Sequence, residues 1–364
     1  MTIEIHHVSF LGTAALRSLS LAVALVVFAA GRSPAATIEL VAGGTTDAVD
    51  IPAGEALLRE PFGTEFDSQG QTWIVEMISG NRLLQIDAAG LLRHKAGRLQ
   101  PGSSGDGGPA LEAQFNGPHN LAILPDGDVL IGDTWNGRVR RVDVRNNTVS
   151  TVDGWTAPPG KERGQGPYCI TLSPDGSRLY IANLLQVRVL DLAKKTSRVV
   201  AGNGKKGVPQ DGANAVEAPL VDPRAAAADR DGNVYILERN GNALRVVDKS
   251  GRIRTVVNAS GRKGADGDGG PALEATMSGP KHLCIDRDGS VLIADAENHL
   301  IRRYEPATGL LRRAAGTGAR GKSGVGGDPL QCQLNRPHGV TIHPKSGELY
   351  ITDSYNNRIL KIAP

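Results

Sequence analysis

The chain has 364 residues, with 41 Lys and Arg against 38 Asp and Glu and a formal net charge of +3, so it lacks the strongly basic balance that non-specific nucleic-acid binding requires. Its 46 Gly and 21 Pro predict many tight turns without reaching the level of a disordered chain. The 3 Cys (Cys169, Cys284, Cys332) show no CxxC or Cys/His zinc spacing, which excludes a disulfide framework and leaves them as small buried hydrophobes, with one Cys284–Cys332 bridge open.

The first 36 residues read as a secretory signal peptide. Arg17 is followed by the 13-residue apolar run LSLAVALVVFAAG from Leu19 to Gly31 and then by small residues to Ala36. The run is short of the roughly 20 residues that span a bilayer as a helix, so cleavage near residues 30–36 is expected over an uncleaved anchor. On this reading the mature chain is exported to the periplasm, cell envelope or medium, is not inserted in a membrane, and is a monomer.

Residues 37–364 carry an internal repeat. Pro61, Pro118, Pro167, Pro223, Pro280 and Pro337 are spaced 57, 49, 56, 57 and 57 residues apart, and each opens the same pattern. A short alternating strand comes first (HNLAI, YCITL, KHLCI, HGVTI), then a turn such as LPDGD, SPDGS or DRDGN, then a β-rich strand ending in a polar residue (TWIVE, VLIGD, LYIAN, VYILE, VLIAD, LYITD). A third strand alternates apolar and basic residues, as in GRVRRVDV and LIRRYE, and a fourth follows a polar turn, as in TSRVVAG and LLRRAAG. Four strands per unit and six units predict an all-β, six-bladed β-propeller. The chain stops after the third strand of its sixth unit, whereas TIELVAG at 37–43 matches a fourth strand and stands alone, so residues 37–44 are expected to complete blade six and close the ring.

The repeats resemble NHL repeats. The resemblance rests on GPHNLAILPDGDVLIGDTWNGRVRRVD at 117–143, GPKHLCIDRDGSVLIADAENHLIRRYE at 279–305 and RPHGVTIHPKSGELYITDSYNNRILKI at 336–362. Blade three departs, with LLQVRVLDL lacking the usual Asp and Asn, and blades one and four carry Glu76 and Glu238 in place of Asp. The D-x-x-N pairs Asp133/Asn136, Asp295/Asn298 and Asp353/Asn356 are read as turn pins, with Trp135, Glu297 and Tyr355 pointing outward between them. The GDGGPALEA segments at 105–113 and 267–275, similar to segments of bacterial NHL proteins and of the teneurin NHL region, are read as connectors between blades. The other reading for them is a calcium loop.

Function is expected at one mouth of the central channel. The residue after each repeat Pro faces the axis there: Phe62, His119, Tyr168, Arg224, Lys281 and His338. The carboxylates Glu76, Asp133, Glu238, Asp295 and Asp353 end the second strands and are expected around that ring, a setting for a small polar or anionic ligand or a protein partner. His119 and His338 flank blade one, which brings Glu76 and Glu65, and two His with a carboxylate can bind a divalent metal. The arrangement is similar to the peptidyl amidating lyases, whose ring histidines hold zinc beside a functional Tyr and Arg. That resemblance matches His119, His338, Tyr168 and Arg224, and it fails at a third histidine, because blade four offers Arg224 and His282 is one place out of register. In an enzyme here, Tyr168 or a histidine is the expected general base, with Arg224 and Lys281 stabilising developing negative charge. Two readings stand: a binding or scaffolding module, and a metal-assisted lyase or hydrolase with zinc or calcium in the same mouth. His94, His299 and His343 read as isolated surface or turn residues.

Overall fold

The computed structural model describes residues 36–157 and 166–363, and all but the last residue of the segment read as a signal peptide lie outside them. The described residues form six four-stranded antiparallel sheets, the blades of a propeller. The innermost strands are Pro61–Phe66, Asn120–Ile123, Cys169–Leu172, Pro223–Ala228, His282–Ile285 and Gly339–Ile342. As the repeat predicts, the N-terminal strand Ile38–Ala42 completes blade six, pairing antiparallel with Arg358–Ile362 in the register Ile38 to Ile362 and Leu40 to Leu360. Closure leaves the ring without a free end sheet.

Apolar residues of successive blades interleave to make the core. Trp73, Val75 and Leu83 of blade one meet Leu121, Val129 and Ile131 of blade two, all essentially without solvent exposure. Each such side chain contributes about 1.5–3 kcal/mol by leaving water. Ile38 of the closing strand is buried among Val340, Ile351 and Leu360, so closure is an apolar as well as a hydrogen-bonded joint.

Two polar devices recur and set where the inner strands begin. In the first, the carboxylate ending the second strand accepts the backbone N–H two residues before the repeat proline. Glu76 takes that of Arg59, Asp133 that of Asn116, Glu238 that of Val221, Asp295 that of Ser278 and Asp353 that of Asn335. An arginine in or just before the third strand neutralises each: Arg82, Arg138 with Arg140, Arg245, Arg302 and Arg358. In the second device, a side chain on a left-handed residue reaches the next blade and accepts the N–H of the residue just before its proline. Asn81 takes Gly117, Asn242 takes Gly279, His299 takes Arg336 and Asn357 takes Glu60, the last joining blade six to blade one. The residues before proline are themselves left-handed, Glu60 at φ 51° and Arg336 at φ 48°, a conformation that needs such holding. Blade three lacks both devices: Asn183 turns back to accept Leu185 and Gln186 N–H, and the left-handed positions are Gly137 and Leu184, which have no acceptor.

The structure corrects several expectations. All three cysteines are free, so Cys284 and Cys332 are not bridged. The connector reading of GDGGPALEA is supported and the calcium reading is not, because arginines take the loop carboxylates: Asp106 meets Arg138 and Arg140, and Asp268 meets Arg302 and Arg313. The three histidines read as isolated are each bonded, His94 to Gly97 O, His343 to Gly70 O and His299 to the Arg336 N–H.

Candidate functional site

Equivalent register positions on the six inner strands stack side chains in layers along the axis. The first layer is the expected ring, and most of its members touch. Phe62 stacks on His338 at 4.1 Å between ring centres and meets His119 edge-on at 5.3 Å. His119 meets Tyr168 at 4.8 Å, and the Arg224 guanidinium lies 4.3 Å from the Tyr168 ring centre. Lys281 pairs with Glu297 at 3.5 Å. An aromatic arc on blades six, one, two and three therefore faces a cationic arc on blades four and five.

The D-x-x-N turns extend this mouth outward. Tyr355 stacks on His338 at 5.7 Å, Trp135 meets His119 at 6.1 Å, and Glu297 joins Lys281 and Arg336. Sequence reasoning missed Arg239, which follows Glu238 in the turn of blade four and pairs with Asp222, and Arg336, which lies over Tyr355 at 4.9 Å. The signal for Arg239 was its place directly after Glu238, the position matching the residue that opens each D-x-x-N turn.

Charge is uneven here. The Arg224 side chain is buried, and its Nε and Nη1 have no hydrogen-bond partner. Burial and then Arg239 lower its pKa to about 10, so it stays charged at neutral pH. Burial and then Arg224 push Lys281 down to about 8. His119 and His338 titrate well below the usual imidazole range, first through burial and then through the cations Arg224 and Lys281. Both are neutral at pH 7, each with Nδ1 at a backbone carbonyl, Gly117 O at 2.7 Å and Arg336 O at 2.8 Å.

The carboxylates do not join this ring. Glu76, Asp133, Glu238, Asp295 and Asp353 are 0% exposed and are saturated by the backbone and arginine bonds described above, so they hold strands and do not face a ligand. The zinc that the amidating-lyase resemblance implies does not fit these residues. The ring offers two imidazoles with Phe62 against both and with Arg224 and Lys281 as the nearest charges. Among the described residues no group of three or more His, Cys, Asp or Glu is arranged to hold a metal ion.

The second layer closes the channel. Four of its positions are small, Gly63, Cys169, Ala225 and Gly339, and they leave room for Asn120 and His282 on opposite blades. Asn120 Nδ2 and His282 Nε2 meet at 3.2 Å, Asn120 Oδ1 accepts the Ile170 N–H, and His282 Nδ1 bonds Val340 O. The third layer is Glu65, Ala122, Thr171, Ala227, Cys284 and Thr341, which line a cavity of about 700 Å³ at the opposite mouth. Glu65, expected beside His119 and His338, is therefore on the far side of the Asn120–His282 bridge.

Six closed four-stranded blades with a polar mouth define a six-bladed β-propeller. The chain belongs to the NHL-repeat propellers: the teneurin NHL domain family matches residues 98–266 and the NHL repeat family matches residues 334–362. It is 26% identical over 285 residues to SUPPRESSOR OF QUENCHING 1, chloroplastic, of Arabidopsis thaliana, covering 72% of this chain and 26% of that protein. Human teneurin-1 is 32% identical over 42% of this chain and 6% of its own length, and bovine NHL repeat-containing protein 2 is 23% identical over 77% and 43%. The chain thus spans less than half of each of these relatives. Among solved structures, an auxiliary nutrient binding protein from Bacteroides thetaiotaomicron shares the fold with TM-score 0.65 at 16% identity, over 90% of this chain and 76% of that one. Virginiamycin B lyase from Staphylococcus aureus does so with TM-score 0.52 at 14% identity, over 86% and 83%.

Proposed function

We propose that this chain is an exported binding module that takes a small anionic ligand, one bearing a carboxylate or phosphate and an aromatic or apolar body, in the mouth formed by Phe62, His119, Tyr168, Arg224, Lys281 and His338. The observation that carries this reading is the Arg224 guanidinium, buried, charged and with two nitrogens lacking any acceptor. Leaving such donors unpaired costs about 1–3 kcal/mol each, which an anion would recover. The adjacent aromatic arc supplies flat apolar surface for the ligand's body. The nutrient-binding propeller among the fold relatives is in keeping with a binding role.

The test uses phenyl phosphate and inorganic phosphate as probes in titration calorimetry. Wild-type protein is expected to bind phenyl phosphate more tightly than phosphate, and Arg224→Gln is expected to lose at least about tenfold of that affinity. Equal binding by wild type and variant would overturn the assignment.

A second reading, lyase or hydrolase chemistry in the same mouth, is favoured by the two neutral imidazoles. Each keeps Nδ1 on a backbone carbonyl, which leaves Nε2 as the nitrogen that can accept a proton, and each interacts with Arg224 and Lys281, which can stabilise a resulting anion. A joint His119→Ala, His338→Ala substitution separates the readings: a binding module loses affinity alone, whereas an enzyme loses turnover.

A further inference from the structure

The opposite mouth has a construction of its own. Six inner strands, one from each blade, end around a cavity of about 700 Å³, the size of a pocket for a small organic molecule. His282 contributes to its floor, and Phe66, Ile123, Leu172 and Ile342 are among its apolar walls. In the third layer the other five positions are Ala122, Thr171, Ala227, Cys284 and Thr341, so Glu65 is the one ionisable carboxyl among small side chains.

We infer that this pocket is a second binding site, distinct from the anion mouth, for a small organic cation with an apolar body, its ammonium group anchored on the Glu65 carboxylate. The walls suit the body, and the charges suit the head. Counting Glu65, Asp229, Asp231, Asp286 and Asp288 against Arg230 and Arg287 of the lining, with Arg303 bound to Asp286 and Asp288, five carboxyls face three guanidiniums. Arg287 bonds the Pro344 and His343 carbonyls. The thiols Cys169 and Cys284 interact with Glu65, and they and the His282 imidazole of the pocket lining are uncharged at neutral pH. Glu65 bonds Thr341, and burial pushes its pKa up to about 8. At pH 7 it is thus mostly protonated, and a bound cation would draw it into the ionised form, with the proton released to solvent.

Phenethylammonium and its neutral isostere 2-phenylethanol are the probes, measured by calorimetry on the full-length protein in two buffers of different ionisation enthalpy. Phenethylammonium is expected to bind wild type with release of close to one proton at pH 7, and to tighten by about tenfold or more between pH 6 and pH 8 as Glu65 ionises. Glu65→Gln, a near-isostere of the protonated acid, is expected to abolish the proton release and the pH dependence while retaining the wild-type melting temperature, and Arg224→Gln is expected to leave both unchanged. Binding of 2-phenylethanol as tight as that of the cation, or a flat pH profile in wild type, would overturn the site. Should Glu65→Gln not fold, the comparison of the two probes and the wild-type pH profile still decide.

Discussion

Asn120 and His282 reach across the ring axis from opposite blades and meet at 3.2 Å, and this one contact divides the channel into two mouths of opposite character. With Nδ1 donating to Val340 O and Nε2 accepting from Asn120 Nδ2, His282 has the hydrogen bonds of a neutral ring, and burial holds its pKa near 4. The folded-state pKa lies below the unfolded one, so the unfolded chain takes up the proton first. Stability from this group is full above about pH 6.5 and is lost as pH falls toward 4. Wild type is expected to lose about 1–3 kcal/mol more than His282→Gln in denaturant titrations between pH 7 and pH 4.5.

The pin between Asp295 and Arg302 involves two side chains with no solvent exposure. Arg302→Met leaves the carboxylate buried without its cation and is expected to cost about 3–5 kcal/mol in thermal unfolding, with Asp295→Asn added on top recovering part of the loss. Equal stability of single variant and wild type would show that the pin carries no structural load.

Ring closure is testable by deletion. Removing residues 37–44 strips the partner from Arg358–Ile362 and exposes the core around Ile38, Ile351 and Leu360. The unfolding midpoint of the whole propeller is expected to fall in a single transition. A separate early transition limited to blade six would contradict closure as the ring's shared constraint.

Anion binding carries a pH signature from Lys281, whose pKa is pushed down to about 8. The ammonium is charged below that value, so phenyl phosphate affinity is expected to be level from about pH 6.5 to 7.5 and to weaken as pH rises through 8. Lys281→Met is expected to flatten this decline and lower the plateau.

The donor set at the mouth predicts no stoichiometric zinc. Protein purified without chelator or metal resin is expected to contain far less than one zinc per chain by mass spectrometry, with no change in His119→Ala, His338→Ala. One zinc per chain lost in that variant would restore the metal-enzyme reading.

The sequence by itself determined the architecture. Six spaced prolines, paired with Pro-Asp-Gly turns and period-two strands, carry blade count, strand count and the lone closing strand, because these depend on local turn chemistry and on a repeat that no single blade can satisfy alone. It also picked out Phe62, His119, Tyr168, Arg224, Lys281 and His338 as one ring, since equivalent positions in a repeat share a place around the axis. Tertiary structure alone decided what those residues face. Asp133, Asp295 and Asp353 end strands near the ring in sequence, yet arginines five to seven residues later fold back on them, and burial makes that pairing obligatory. Glu65 lies three residues after Phe62 but on the other side of the closed channel, because the bulge between Pro61 and Gly63 and the alternation of a strand set which layer it joins. The Asn120–His282 bridge, which separates the two mouths, links residues 162 apart in the chain and follows only from closing six blades into one ring.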